Sequence, residues 1–253
     1  MTFNEKIQCL NEKISNAKTI VFFTGAGIST ESGIRDFRSA NGIWSTSPEE
    51  LCHVRTLRFK PRIFFDFYRK SFDCRKYEPN IAHKRIAELE KTGKTITVVT
   101  QNVDSLHQKA GSTVVHEIHG TTAKNHCVEC QHEFDEDFIF DSKEVIPTCP
   151  YCDGQVRPNI ICYGESLPWR EFHDGSNAIA NADLVIVCGT SLKVYPAASM
   201  LYRVPYNNLV IINRDATSFD KDAELVFNES LGEVFSKVKV NERNEKNDKI
   251  ERT

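Results

Sequence analysis

Four cysteines stand in two closely spaced pairs, Cys127 with Cys130 and Cys149 with Cys152. A Cys-x2-Cys turn presents two thiolates to one ion, so two such turns complete a tetrahedral zinc site. A closed shell of protein ligands leaves no position for a substrate, and we therefore expect this metal to be structural. Disulfides are the alternative, but the spacing favours a metal and the sequence shows no secretory marks.

A glycine-rich turn follows the short apolar run from Thr19 to Phe23. Gly25-Ala26-Gly27 begins like the dinucleotide-binding fingerprint, although Thr30 stands where its third glycine belongs and no acidic residue follows about twenty positions on. The glycines would let backbone amides approach a pyrophosphate. A tight strand-to-helix turn without a ligand is the alternative.

A polar segment continues from this turn and ends in Asp36, Phe37 and Arg38. Polar groups so close to a phosphate turn favour a cofactor lid over plain surface. Arg38 could pair with a phosphate, and Phe37 could cover a reactive ring.

Composition narrows the class of protein. The chain has 253 residues, is 40% hydrophobic and carries a formal net charge of -3, which favours a globular enzyme and gives no overall field for a polyanion. This counts against the alternative of a zinc-ribbon protein that binds nucleic acid. No apolar run approaches a membrane span, and we expect a cytoplasmic protein with no membrane partner. We expect the five other cysteines to be reduced thiols: Cys9, Cys52, Cys74, Cys162 and Cys188.

Strands and helices alternate along most of the chain, which predicts an α/β fold with a mostly parallel, doubly wound sheet. A capping box at Thr2 and Glu5 opens a first helix that runs to about Asn16. Buried strands are predicted at Thr19 to Phe23, Thr95 to Thr100, Val114 to Ile118, Asp183 to Cys188 and Leu209 to Asn213. Helices are predicted at Asn80 to Lys91, Asp104 to Ala110, Glu171 to Asn181 and Ala197 to Val204.

Two segments interrupt this alternation, so we expect a large domain and a smaller composite domain with a ligand cleft between them. Residues 39–77 form a helical module, and residues 121–156 hold the cysteine pairs in a zinc-ribbon module. The large domain then comprises 1–38, 78–120 and 157–238. The stretch 239–253 is a polar tail.

Together, these motifs resemble the sirtuins, a family of NAD-dependent protein-lysine deacylases, in their bacterial type. The resemblance covers about Thr19 to Phe235, with every block in the family's order. The matching blocks are Gly25 to Arg38, Thr100 to Asp104 with Leu106-His107, His119-Gly120, the four cysteines, Arg157-Pro158, Gly164-Glu165, Gly189 to Ser191, and Asn213.

The resemblance implies a Rossmann-like large domain, a small domain made of a zinc ribbon and a helical module, and NAD as co-substrate. It also implies one structural zinc ion. The implied contacts to NAD are Gly25, Ala26, Gly27, Thr30, Asp36, Phe37, Arg38, Gln101, Asn102, Val103, Asp104, His119, Gly189, Thr190, Ser191, Asn213 and, on a loose alignment, Leu231. Among these, Val103 and Asp104 would hold the carboxamide of nicotinamide.

By the same resemblance, His119 is the general base that takes a proton from a ribose hydroxyl, and Asn102 orders the ribose and a nearby water. An imidazole with a pKa near 6.5 accepts a proton at neutral pH. On the residues alone, a single histidine after a strand is more often structural. His116, His126 and His132 are nearby, and we expect them at the surface or beside the metal ligands.

The Gly189-Thr190-Ser191 segment follows a buried strand and would bind phosphate or ribose. On the residues alone, a polar strand end that binds no ligand explains this segment equally well.

The partner is expected to be acylated lysine in a protein or peptide, bound by strand addition between two segments. The expected substrate contacts are Ile160, Ile161, Tyr163, Gly164, Glu165, Val194 and Tyr195, with the first three lining an apolar tunnel.

Two departures from the family pattern bear on the acyl group. Cys162-Tyr163 replaces the usual Trp-Phe, and Tyr68 is followed by Ser71 where sirtuins that prefer succinyl or malonyl groups carry an arginine. Without that guanidinium, a second carboxylate lacks a bidentate partner. We expect uncharged acyl groups, unless Arg69 or Lys70 substitutes.

The first hypothesis is therefore an NAD-dependent lysine deacetylase. A mono-ADP-ribosyltransferase would use the same NAD site, and an inactive NAD or acyl-lysine reader would need no base. The glycine turn alone would also allow a hydride-transferring dehydrogenase.

Overall fold

The computed structural model describes residues 1–36, 48–205 and 207–240. Phe37 and Arg38, expected at the dinucleotide, lie outside these residues, as does the part of the predicted polar tail from 241 to 253.

Helices and strands alternate through the described chain. The α-helices are α1 (Phe3–Asn16), α2 (Pro48–Leu51), α3 (Val54–Phe59), α4 (Pro61–Phe72), α5 (Ile81–Glu90), α6 (Leu106–Ala110), α7 (Asp137–Phe140), α8 (Trp169–Ala180) and α9 (Leu231–Phe235). The strands are β1 (Thr19–Thr24), β2 (Thr95–Thr100), β3 (Val115–Glu117), β4 (Gly120–Cys127), β5 (Glu133–Asp135), β6 (Val156–Ile160), β7 (Leu184–Cys188), β8 (Leu209–Ile212) and β9 (Leu225–Phe227). Short 3₁₀ segments span Ala26–Ser32, Ala197–Arg203 and Asp220–Asp222.

Six strands form one sheet in the order β3-β2-β1-β7-β8-β9, and every neighbouring pair is parallel. The chain fills one half of the sheet from β1 outward and then returns to fill the other half from β7. Such a reversal opens a crevice at the carboxyl ends of the two central strands, where ligands bind in open α/β sheets. The predicted doubly wound parallel sheet is confirmed.

The residues of β1 show why the sheet is covered on both faces. Ile20 and Phe22 belong to a core cluster shared with α1, α5 and α9. Val21 and Phe23 belong to a second cluster shared with α8 and the 197–203 segment. All four side chains are at most 3% exposed, so a continuous apolar run packs against helices on both sides.

A second, three-stranded sheet has the order β5-β4-β6 and is antiparallel. It shares a core with the helices of the predicted helical module, where Phe64, Phe65 and Tyr68 of α4 are fully buried. Because β6 pairs with β4, this sheet continues to Ile160 rather than ending at the predicted module boundary after Val156.

Several elements differ from the predictions. Strand β9 was not predicted because three residues carry too little periodicity to be read. The glycine turn opens into a 3₁₀ segment rather than an α-helix, and the predicted helix from 197 to 204 is also 3₁₀. Such short segments depend on packing more than on helix propensity.

Within the described residues, no helix is both long enough and apolar enough to cross a membrane.

Candidate active site

The candidate site lies at the carboxyl ends of the central strands. Thr24, the last residue of β1, is in register with Thr100 of β2 and Cys188 of β7. Gly25, the first residue after β1, donates its backbone N–H to the Cys188 carbonyl over 3.1 Å. The loops that follow three adjacent strands therefore meet at one place, the crevice at the reversal in strand order.

Two of these loops approach each other so closely that glycine is required at the contact. The Gly27 backbone N–H donates to the Gly189 carbonyl over 2.8 Å, and a Cβ on Gly27 would lie 2.7 Å from that oxygen. Gly189 has a φ of +62°, and its Cβ would lie 2.4 Å from the Ile28 nitrogen. Larger residues would separate the loops. Thr30 closes the turn by donating its hydroxyl to the Gly27 carbonyl over 2.9 Å.

A buried carboxylate forms the inner part of the site. Asp104 is 8% exposed and accepts hydrogen bonds from the Ser29 hydroxyl at 2.6 Å, the Asn102 amide at 3.3 Å and the Leu106 backbone N–H at 3.0 Å. Burial raises the pKa of Asp104, and these donors oppose that rise. Three donors on one carboxyl favour its ionised form, which only accepts hydrogen bonds.

His119 lies directly before β4, at the junction of the two sheets. Its Nδ1 is 3.0 Å from the Gln101 carbonyl oxygen. A carbonyl only accepts, so this contact assigns the proton of the neutral ring to Nδ1 and leaves Nε2 as a proton acceptor. Burial lowers the pKa of His119, and the bond to Gln101 partly opposes this. The ring is consequently neutral at pH 7 and suited to act as a base.

The loop of residues 101–104 ties the two sheets together. The Gln101 side-chain amide donates to the Thr190 hydroxyl over 3.0 Å, which joins this loop to the one after β7. The Val103 carbonyl accepts from the Thr122 backbone N–H at 2.9 Å and from the Thr122 hydroxyl at 2.8 Å, which joins it to β4. The residues proposed for NAD and for catalysis are therefore held on one connected framework.

The residues proposed on the adenosine side lie farther along the same sheet edge. Asn213 follows β8, donates its backbone N–H to the Phe227 carbonyl over 3.0 Å, and turns its side-chain amide to the Asp215 carbonyl at 2.7 Å. Leu231 is 6% exposed and belongs to the core cluster of the large sheet. A contact from Leu231 to adenine would thus involve its backbone.

Ala26, Asp36 and Ser191 are partly exposed, and their proposed contacts to NAD stay predictions.

The proposed substrate segment is anchored to the helical module. Tyr163 donates its backbone N–H to the Cys52 carbonyl over 3.0 Å and accepts from the Val54 N–H at 2.9 Å. The next residue, Gly164, has a φ of +86°, so the chain turns away from this pairing. Ile161 donates its backbone N–H to the His119 carbonyl over 2.9 Å, which places the proposed tunnel wall beside the proposed base.

An internal ion pair holds the same segment. Arg157 reaches both oxygens of Glu165, at 2.6 and 2.9 Å, and the Cys162 backbone N–H also donates to that carboxylate over 2.8 Å. The Glu165 side chain is thus engaged within the protein, and its predicted substrate contact would have to come from the backbone. Ile160 is 3% exposed and packs in the small-domain core, and its place in the tunnel wall stays a prediction.

On the opposite side of the proposed peptide groove, Tyr195 is 57% exposed, and Val194 is partly buried.

The residues that could recognise an acidic acyl group are occupied elsewhere. Tyr68 is fully buried and stacks between Phe64 and Phe72. The Arg69 guanidinium donates to three backbone carbonyls between 139 and 145, and Lys70 pairs with Asp66. The three bonds of Arg69 count against its replacing the missing arginine, whereas the Lys70 pair is exposed and the preference for uncharged acyl groups stays a prediction.

The four cysteines converge as predicted. Their Sγ atoms all lie within 4.8 Å of one another, with 3.4 Å between Cys127 and Cys152 and 3.7 Å between Cys130 and Cys149. A tetrahedral zinc ion with Zn–S bonds of about 2.3 Å requires sulfurs about 3.8 Å apart, so the donor set fits zinc. The nearby His126 ring instead contacts a side-chain amide on β6.

Three side chains of the site were not assigned a role from the sequence. Ser29 donates to Asp104, Thr100 accepts from the Asn102 backbone N–H at 3.0 Å, and Arg157 holds the substrate segment. Ser29 and Thr100 belong to the glycine-turn and Gln-Asn blocks, so their position in those motifs was the available signal.

Comparisons with known proteins agree with this geometry. Residues 25–196 match the model of the Sir2 family. An NAD-dependent protein deacetylase of Clostridium perfringens is 45% identical over 242 residues, covering 93% of this chain and 99% of that protein. One from Clostridium tetani is 41% identical, covering 89% and 94%. A solved Sir2 with a p53 peptide and NAD+ superimposes with a TM-score of 0.83 at 35% identity, covering 94% of this chain and 97% of that one.

Proposed function

The chain belongs to the Sir2 family, and from this premise we propose that it is an NAD-dependent protein-lysine deacetylase. With one water consumed, it transfers the acyl group of a modified lysine to the ADP-ribose part of NAD and releases nicotinamide and the free lysine. The observation that carries this proposal is the His119 ring, whose Nδ1 is tied to Gln101 and whose Nε2 is left to accept a proton. A reader of NAD or acyl-lysine would have no use for such a base.

The donor and acceptor chemistry of the crevice fits NAD. The Asp104 carboxylate is a buried acceptor of the kind that binds the NH2 of a carboxamide, and Asn102 and Ser29 hold that carboxylate in place. When bound, NAD supplies an anomeric carbon whose bond to nicotinamide is broken and replaced. Asp104 and Val103 would orient the nicotinamide end, and the loops at Gly25 and Gly189 would hold the phosphates.

His119 would then act on the sugar. Its Nε2 would take a proton from a ribose hydroxyl. The Gln101 carbonyl would stabilise the resulting imidazolium by accepting a hydrogen bond from Nδ1. Asn102 would orient the ribose with its side-chain amide. Such general-base catalysis is worth roughly 10²- to 10⁴-fold.

Zinc would be held by the four cysteine thiolates and would have no chemical step to perform. Its role would be to stabilise the ribbon between β4 and β6, the two strands that bring His119 and Ile161 side by side at their end away from the cysteines.

The substrate is proposed to be acylated lysine in a peptide that adds as a strand between residues 164–166 and 193–195. Relatives support this class, since solved Sir2 structures include one bound to an acetylated peptide and one bound to a propionylated peptide. The engaged side chain of Arg69 favours uncharged acyl groups. We propose a cytoplasmic location because no two of the nine cysteines, all among the described residues, form a disulfide.

Mass spectrometry tests the proposal. The protein is incubated with NAD and an acetyl-lysine peptide, and both the peptide mass and the nicotinamide formed are followed. Loss of the acetyl mass with equimolar nicotinamide supports a deacetylase, and gain of an ADP-ribose mass on a protein would instead indicate the transferase. No nicotinamide with any acylated peptide would overturn the proposal. His119→Ala is the matched control.

A further inference from the structure

A row of buried polar side chains lies beneath the site and has no part in the chemistry described above. Thr24, Thr100, His107 and His83 are each at most 2% exposed. Thr24 and Thr100 end the neighbouring strands β1 and β2 and lie side by side in register. Burying polar side chains is costly unless they hydrogen-bond one another. Thr24, Thr100 and His107 do so, whereas neither ring nitrogen of His83 has a hydrogen-bond partner among the described residues.

The two threonines hold the backbone of the residues that follow them. The Gln101 backbone N–H donates to the Thr24 carbonyl over 3.0 Å, and the Asn102 backbone N–H donates to the Thr100 hydroxyl over 3.0 Å. The Thr24 hydroxyl itself donates to the Thr100 hydroxyl over 2.8 Å. Both N–H groups of the 101–102 segment are therefore fixed by one cross-strand pair.

That segment carries both groups needed for catalysis. The Gln101 carbonyl accepts from Nδ1 of His119 and so fixes which ring nitrogen is the base. The Asn102 side-chain amide contacts Ser29 at 3.1 Å and Asp104 at 3.3 Å. A shift of the two peptide units would move the base and the nicotinamide pocket together.

His107 completes the row from α6. Its Nε2 lies 3.0 Å from the Thr24 hydroxyl oxygen. Because Thr24 gives its own proton to Thr100, Nε2 must carry the proton that is donated to Thr24. Burial, with His83 beside it, lowers the pKa of His107 and keeps its ring neutral. The His83 ring packs against it with centroids 4.8 Å apart, which holds the plane of the donor.

We propose that Thr24, Thr100 and His107 form a hydroxyl–imidazole relay whose role is to position His119 and Asn102. The three are positioning residues, since their side chains hold the Asn102 backbone N–H, which belongs to the same peptide unit as the Gln101 carbonyl that binds His119. This inference rests on the proposed function, because it names the residues that hold the same site in its active geometry.

Paired substitutions test the relay. Thr100→Val keeps the shape and removes the acceptor for Asn102, whereas Thr100→Ser keeps the hydroxyl. His107→Phe removes the donor to Thr24, whereas His107→Gln retains an N–H donor. Thr97→Val is the matched control, since Thr97 is also buried on β2 but lies on the opposite face and outside the relay.

We expect Thr100→Val and His107→Phe to lower kcat by about ten- to a hundredfold, as small misplacements of catalytic groups do, and to raise the KM for NAD by a smaller factor because the nicotinamide pocket shifts with the base. Thr100→Ser, His107→Gln and Thr97→Val should retain most of kcat. Equal losses in the Val and Ser variants, or a loss in Thr97→Val as large as in Thr100→Val, would overturn the relay. An inactive wild-type protein would instead overturn the proposed function.

A spectroscopic readout separates positioning from a loss of folding. With ¹⁵N-labelled histidine, the wild-type His119 ring should show one tautomer, protonated at Nδ1, and Thr100→Val should show a mixture. An unchanged tautomer in Thr100→Val would contradict the relay. Should Thr100→Val fail to fold, the Phe and Gln variants of His107 decide the question by the same two measurements.

Discussion

The six-stranded sheet and the ribbon module of residues 121–156 are stabilised in different ways. The large sheet has a core on each face, and the residues at the centre of β1 are almost fully buried. The ribbon has three short strands and a metal cluster in which Cys130 and Cys152 are exposed. The comparison indicates that the large sheet folds on its own packing, whereas the ribbon depends on its ion.

The ribbon is also tied to the helical module by charge. Arg75 pairs with Asp73 beside it and with Asp137 and Asp141 of the ribbon, at 2.7 to 2.9 Å. Exposed pairs of this kind contribute little singly, and a network fixes orientation more than it adds stability. The active site lies where the two regions join, because His119 directly precedes β4.

Metal removal should have the largest effect on stability, and this effect should be confined to the ribbon. Structural zinc contributes about 10–16 kcal/mol in zinc-finger peptides. We expect one zinc per chain and, after chelation, fast hydrogen exchange across the ribbon with slow exchange retained in β1, β2 and β7. Activity should be lost as well. Equal loss of protection in both regions would contradict the comparison.

Phe22→Ala is the matched change in the large sheet. Removing a fully buried phenylalanine costs about 3–5 kcal/mol, and it should lower the main unfolding transition while the bound zinc stays in place. Release of zinc by this variant under native conditions would show that the two regions are not separately stabilised.

His119→Ala should lower kcat by roughly 10²- to 10⁴-fold, because it removes the base and leaves the contacts at Asp104 intact. Binding of NAD, measured by calorimetry, should change little. A large loss of NAD affinity with unaltered kcat would assign His119 to binding instead.

Arg157→Met should release the substrate segment, since it leaves the Glu165 carboxylate half-buried without its cation. Removing one partner of a buried ion pair costs about 3–5 kcal/mol of stability. Because this pair is partly exposed, we expect a loss at or below the lower end of that range. We expect a raised KM for the peptide. The control Lys13→Met breaks the more exposed pair with Glu224 and should cost less than about 1 kcal/mol. Similar effects of the two changes would count against the segment's role.

The sequence predicted the parts of the fold that are long or strongly patterned. Strands β1, β2, β7 and β8 are continuous apolar runs, and burial on both faces is what such runs require. The cysteine spacing likewise predicted the cluster, because two Cys-x2-Cys turns have little freedom once they share an ion. Strand β9 was missed because three residues show no period.

Contacts between distant residues could not be predicted in the same way. The Thr24 hydroxyl meets Thr100 and His107 across 76 and 83 positions of the chain, and no local pattern marks those pairs. The sequence likewise did not show that β6 pairs with β4, which turns the Ile160 side chain into the small-domain core. Tertiary packing decides such positions.

The central claim is that His119 is a buried base whose Nδ1 is held by Gln101, and the pH profile of kcat/KM tests it most directly. Burial lowers the pKa of His119, and only the neutral ring accepts a proton, so activity should fall as the pH drops through a value below about 6.5. We predict that this acid limb is present in the wild-type protein and absent from the residual activity of His119→Ala. An acid limb at or above about 6.5, or the same limb in both proteins, would contradict the account.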